Sequence, residues 1–195
     1  GTIGDYTLNF TASGVTATSQ PIQVTVGAAH KVVVTTGVAG FVNRTDFTTQ
    51  PVAEIQDISG NLVDSSANVE VTISTGNLTG TTLLPAVHGV ADWSTATTAL
   101  GKYGTIGSKT LTFASTGLTS DTTQVFTLTH GVATQLAITQ GIASGSTVND
   151  QAFGSQPRIT IQDQDANTVT TGTDATQSVT VSMTNGLAGN ASIAA

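Results

Sequence analysis

The chain contains no cysteine, so neither a disulfide framework nor a thiol nucleophile can be built from it. Lys and Arg number five against twelve Asp and Glu, a net charge of −7, and charged residues make up 9% of the sequence. A surface able to neutralise phosphates is therefore missing, and nucleic acid is not an expected partner. Aromatic residues are 5%, with one Trp and one Met, so any core must be made mostly of Val, Ile, Leu and Ala. No window approaches 18 uninterrupted apolar residues, so this segment is not expected to span a membrane. The opening GTIGDYT has no basic or apolar leader pattern, which places any targeting signal outside these 195 residues.

What is present in quantity is threonine, at 39 positions, with 21 glycines and 38% apolar residues. β-Branched side chains lose rotamer freedom in helices and pack well on sheets, so this composition points to an all-β chain. The repeated alternation of apolar and polar residues separates it from disordered sequences, which are charged and poor in such residues. Length alone suits one large domain or two small ones.

Self-comparison replaces both options with a repeat. GTIG at 1–4 recurs at 104–107, and DYTLNFTASGVT is followed in kind by SKTLTFASTGLT, an offset of 103. FTTQPVAEIQDISGNLV at 47–63 matches FGSQPRITIQDQDANTV at 153–169, and NVEVTIS at 68–74 matches SVTVSMT at 178–184, with offsets of 106 and 110. Such drift is what loop insertions produce while strands are kept. The frame makes residues 1–27 the last two strands of a truncated repeat, 28–131 a complete unit, and 132–195 the first strands of a further, incomplete one. The complete unit is 104 residues long.

Period-two alternation assigns the inward positions. In the complete unit these are Val32 and Val34, Ala53 and Ile55, Val69, Val71 and Ile73, Ala91 and Trp93, Leu111 and Phe113, and Phe126 and Leu128. The later copy offers Leu136, Ile138, Ile159, Ile161, Val179, Val181 and Met183; the first fragment offers Leu8, Phe10, Ile22, Val24 and Val26. Turn signals SGN, TGN and STG separate the runs. Six or seven short antiparallel strands per unit, with no helical period, make a β-sandwich the expected fold.

F-x-x-Q-P-x-x-x-I-Q-D-x-x-x-N-x-V at 47–63 and 153–169, G-V-A-x-W at 89–93, and the paired L-N-F and L-T-F segments resemble bacterial immunoglobulin-like (Big or invasin-like) tandem repeats. These occur in large secreted surface proteins: adhesin stalks, surface-layer and fibre proteins. The resemblance covers nearly the whole chain and implies tandem immunoglobulin-like β-sandwich repeats at a cell surface. Its motifs are structural and specify a fold better than a role.

Catalysis has no constellation to rest on. His30, His88 and His130 share no equivalent position between copies, and no nucleophile elbow, phosphate loop or paired-His motif occurs. No cofactor is implied. Calcium is the one ion to consider, because Asp163, Asp165 and Asn167 place three oxygen-bearing side chains in one turn. The matching turn carries Asp57, Ser59 and Asn61, so only one carboxylate recurs, and capping of a β-turn is the preferred reading. Trp93 is read as core in preference to a sugar-stacking platform. The counterpart of Lys31 in the other copy is Gln135, so a lysine crosslink is not a property of the repeat. The four N-x-S/T sequons, at Asn9, Asn43, Asn77 and Asn190, are no excess over chance for this composition.

A sandwich without its last two strands exposes a core and an open ladder edge. Either these residues are a window on a longer array whose neighbouring repeats supply the strands, or the first two strands of one subunit complete the last sandwich of another by strand complementation. The first needs no special mechanism and is preferred. The expected function is thus a structural spacer or polymer unit in a prokaryotic extracellular stalk, fibre or coat, not an enzyme. The alternative is an adhesin module that binds a glycan or host protein through its loops.

Overall fold

Short runs of alternating residues, each ended by Gly, Asn or Ser, become short antiparallel strands. The computed structural model describes residues 1–123, 125–142, 151–184 and 190–191, and the chain divides into two units, Gly1–Gly131 and Val132–Ala195. It is all-β, built of several small antiparallel sheets with two single-turn 3-10 segments among the described residues. No helix among them is long and apolar enough to cross a membrane.

Unit 1 starts with a hairpin of β1 (Gly4–Phe10) and β2 (Thr18–Val24). There follow β3 (Lys31–Thr36), β4 (Thr45–Asp46), β5 (Val52–Gln56), β6 (Asn68–Ile73), β7 (Asn77–Thr79), β8 (Leu83–Pro85) and β9 (Val90–Asp92). After a 3-10 turn at Trp93–Thr95 come β10 (Gly101–Tyr103), β11 (Gly107–Lys109), β12 (Leu111–Ala114), β13 (Asp121–Thr122) and β14 (Phe126–Leu128). Their sheets run β3-β5-β9, β13-β12-β6-β8, β4-β10-β7 and β11-β14.

One core joins these sheets. Val32, Ala53, Ile55 and Ala91 come from the first; Val69, Val71, Leu111 and Phe113 come from the second. Each Val, Ile, Leu or Phe among them contributes about 1.5–3 kcal/mol on burial, and each Ala less. Trp93 closes the layer at 1% exposure: its ring meets Phe113 edge-on at 5.2 Å, and its Nε1–H donates to the Thr81 carbonyl at 2.9 Å. It sits in the 3-10 turn after β9, capped by Asp92, whose side chain accepts from the Ser94 N–H. Gly89 lets that strand start, since its φ is +83° and a Cβ there would lie 2.1 Å from the Val63 carbonyl oxygen. Every expected inward position of 28–131 is buried, Val34 and Ile73 partly.

Unit 2 contains β15 (Gln135–Gln140), β16 (Arg158–Gln162), a 3-10 turn at Thr173–Thr176, β17 (Met183–Thr184) and β18 (Asn190–Ala191). Here the inward expectations diverge from the structure. Leu136 and Ile138 are 58% and 72% exposed, and no strand forms over 177–182, where Val179 and Val181 stay exposed. The side chain of Met183 lies outside the described residues. The physical reason is partnership: β6 of unit 1 is held between β12 and β8, and among the described residues unit 2 offers 177–182 no such neighbours. An apolar run becomes a strand only when a ladder satisfies its backbone. The first fragment behaves alike: β1 and β2 pair with each other, yet Leu8, Phe10, Val24 and Val26 remain exposed.

Candidate functional site

The Q-D-x-x-x-N turn after β5 is built around one carboxylate. Asp57 accepts from the backbone N–H groups of Ser59 and Asn61, each at 2.9 Å, and from the Asn61 side-chain amide at 2.9 Å. It also accepts from the Gly27 N–H at 3.0 Å, thirty residues upstream in the short segment joining the hairpin to β3. The Asn61 amide in turn donates to the Gly1 carbonyl at 3.1 Å. The Asn61 amide first, then the Gly27 and other N–H groups, hold the Asp57 carboxyl well below the usual aspartate range against the opposing effect of burial. The turn thus fastens the junction backbone to the rest of unit 1.

The same turn recurs after β16. Asp163, 1% exposed, accepts from the Asp165 and Asn167 N–H groups at 2.9 and 3.0 Å, and from the Asn167 amide at 3.1 and 3.0 Å. Ala166 takes the left-handed conformation, φ 62°, that Gly60 takes in the first copy, φ 88°. Of the three calcium candidates, Asp163 and Asn167 are therefore brought together, while Asp165 gives the turn its backbone N–H. Both oxygens of Asp163 face N–H donors, the arrangement of a turn cap; a cation needs those same lone pairs. Among the described residues no group of three or more His, Asp or Glu side chains is placed to hold a metal.

The likeness extends along the strands. β3 pairs with β5 in the register Val32↔Ile55 and Val34↔Ala53, then shifts at a bulge to Thr36↔Val52. β15 pairs with β16 as Leu136↔Ile161 and Ile138↔Ile159, then shifts to Gln140↔Arg158. The Gln50 amide donates to the Phe47 carbonyl at 2.9 Å, and the Gln156 amide to the Phe153 carbonyl at 3.1 Å. Both Q-P motifs therefore do the same local work.

A second buried polar group had no signal in the sequence. Lys102 on β10 is 1% exposed, and its ammonium donates to the Thr45 carbonyl at 3.0 Å, the Thr45 hydroxyl at 3.2 Å, the Asp46 carbonyl at 3.3 Å and the Gly40 carbonyl. The Phe47 ring centroid lies 4.4 Å away. Burial pushes its pKa down to about 8, with the nearby Asp46 charge opposing. Enclosed this way the amine meets no substrate, and its chemistry is that of a cage that fixes the 40–47 loop.

The histidines do not converge. His88 pairs with Asp64 at 3.1 Å, both fully in solvent; the His30 backbone joins Gln56 and Thr119; His130 Nδ1 lies 2.9 Å from the Gly131 carbonyl oxygen. Of the sequons, Asn43 is 2% exposed and accepts from the Gly104 N–H at 3.0 Å, whereas Asn9 and Asn77 are exposed. The side chain of Asn190 lies outside the described residues. Tyr103, at the end of β10, has the Arg44 guanidinium over its ring, 5.1 Å from the centroid. A cleft of about 600 Å³ lies beside Val34, Phe41, Asp121 and Phe126. Its aromatic rings stack on each other at 4.9 Å, and Asp121 accepts from the Val34 N–H.

Known proteins add little to this geometry. No protein-family model matches the chain, and no curated protein does. A β-glycosidase from Bacteroides vulgatus is a structural neighbour at 14% identity and a TM-score of 0.42. The match covers 65% of this chain and 17% of that one.

Exposed apolar side chains occur in both units. One face of the β1–β2 hairpin shows Tyr6, Leu8, Phe10 and Val24 at 37–53% exposure, with Asp5, Thr7, Asn9 and Ser19 on the other. In unit 2 the apolar edge is Leu136, Ile138, Val179 and Val181.

Proposed function

We propose that the chain is a structural repeat segment of a prokaryotic extracellular surface protein, a stalk, fibre or coat, with units of immunoglobulin-like β-sandwich type. One observation carries this reading: the ladder with its bulge, the Gln amide bond to the Phe carbonyl and the Asp–Asn turn of 31–63 recur in 135–169. A chain that repeats its scaffold and repeats no reactive constellation sets length by copy number, with contacts between neighbours. The junction supports a spacer role, because the Gly27 N–H is held by Asp57 and the linker has little freedom to swing.

Electron microscopy of the native material tests the proposal. Long strings with a beaded period of one unit support a stalk or fibre, and a planar lattice supports a coat. Isolated particles without a repeat would overturn it. The adhesin alternative draws no support from Trp93, which is core, or from Tyr103, which ends β10 beneath Arg44.

A further inference from the structure

Resting on that reading, we propose that the sandwich of 28–131 is a tension-bearing element: its first strand run, 30–43, and its last, 119–129, form a clamp loaded in shear, with Asp121 as the middle link. A pull passed along the chain enters this part at 28 and leaves it at 131. Near the entry, Lys31 makes a parallel bridge to Thr119. The Val32 N–H donates to the Thr119 carbonyl at 2.8 Å, and the Thr119 N–H to the His30 carbonyl at 3.0 Å. Near the exit, Val42 makes a second parallel bridge, to Thr129. The Thr129 N–H donates to the Phe41 carbonyl at 2.8 Å, and the Asn43 N–H to the Thr129 carbonyl at 2.9 Å. Between the two bridges the Asp121 carboxylate accepts from the Val34 N–H at 2.9 Å with one oxygen and from the Thr122 N–H at 2.8 Å with the other. The Phe41 ring of the first run stacks on the Phe126 ring of the last at 4.9 Å.

Direction decides what these bonds do under load. In a parallel pair, the start of one strand and the end of the other lie at opposite ends, and the bonds between them run across the strands. A pull between 28 and 131 is therefore directed along both runs, so the entry bonds, the Asp121 link and the exit bonds share it and open together. An antiparallel first and last strand would put entry and exit at one end, and the bonds would open one after another. Neither run can slip by itself. The first is held on its other edge by β5, and the last is tied by β13 to β12 and by β14 to β11. The chain has no cysteine, so no disulfide shares the load. Resistance to force is governed by the unfolding rate, and a bond set that must break as one raises that barrier.

Optical-tweezer unfolding of the full chain tests the clamp, and the absence of native cysteine makes each handle site unique. The handle positions Ala28, Ser120 and Val132 are all exposed. Handles on Ala28→Cys with Val132→Cys load the two runs along their length. Handles on Ala28→Cys with Ser120→Cys pull from the end at which both runs start and peel them apart. At one loading rate the first geometry is expected to unfold at about twice the force of the second, or more. Asp121→Ala should lower the force in the first geometry and leave the second unchanged, while equilibrium unfolding followed at Trp93 shows that the variant keeps its core. Equal forces in the two geometries of the otherwise unmodified chain overturn the clamp, whether or not the variant folds. A proportional loss in both geometries on Asp121→Ala overturns its place as the middle link. Equal forces would leave a beaded period in micrographs untouched, and particles without that period would leave the force ratio untouched, so the clamp and the structural-repeat reading fail separately.

Discussion

Lys102 gives the sharpest test of the physical reasoning. Its ammonium sits in a cage of carbonyl oxygens with an aromatic face and no contacting carboxylate, and its pKa falls from 10.5 to about 8. A folded-state pKa below the unfolded one means that the unfolded chain binds more protons between those values. Stability therefore rises with pH across that window; it is greatest above the unfolded pKa and falls away as pH drops to the folded pKa. A displacement of this size corresponds to about 3 kcal/mol. Lys102→Met keeps the length of the side chain and removes the titration, at the loss of hydrogen bonds worth about 1 kcal/mol each. The assay is denaturant unfolding followed by Trp93 fluorescence, which reports unit 1 because Trp93 is the sole Trp and is buried there. Between about pH 7 and pH 11 the unmodified chain should gain about 3 kcal/mol over the variant. Parallel profiles for the two chains would show that Lys102 stays charged in the fold, and the cage argument would fail.

Gly89 and Gly117 share a left-handed φ, +83° and +79°, but a Cβ at Gly89 meets the Val63 carbonyl oxygen at 2.1 Å while one at Gly117 meets nothing within 4 Å. Gly117→Ala should therefore cost about 1–2 kcal/mol and Gly89→Ala more than about 3 kcal/mol; equal losses in Trp93-monitored unfolding would refute the steric account. The Asp57 carboxyl, held low first by the Asn61 amide, should remain ionised at about pH 3 by carbon NMR titration, and Asn61→Ala should move it back towards the ordinary range. Because its folded pKa is depressed, the contribution of the turn is complete above the ordinary aspartate pKa and is lost only as pH falls through the lower folded value. An ordinary titration in the unmodified chain would rule this out.

Alternation made the core of 28–131 legible because every strand there has neighbours: Val69 and Val71 are inward in pattern and are buried between β12 and β8. The same alternation at Val179 and Val181 produced no strand. Periodicity records which face would be covered, and whether a cover exists is a property of the surroundings. The Asp–Asn turn was half legible. Its spacing put oxygen ligands in one place, which suits calcium and suits backbone capping equally well on composition alone. The structure separates the two by the direction of the donors, since N–H groups converge on both oxygens of Asp163. Lys102 was not legible at all, because its partners are main-chain carbonyls of Gly40, Thr45 and Asp46, and a carbonyl carries no signature in sequence.

The same distinction bears on the apolar surfaces. If Leu8 and Phe10 were unneeded on one face, selection against aggregation would favour charge there, as edge strands carry elsewhere. Instead Tyr6, Leu8 and Phe10 share one face with Ile22 and Val24, broken by Gln20 and Thr18, while Asp5, Thr7, Asn9 and Ser19 lie on the other, so the alternation again records a face and its cover is a property of the surroundings.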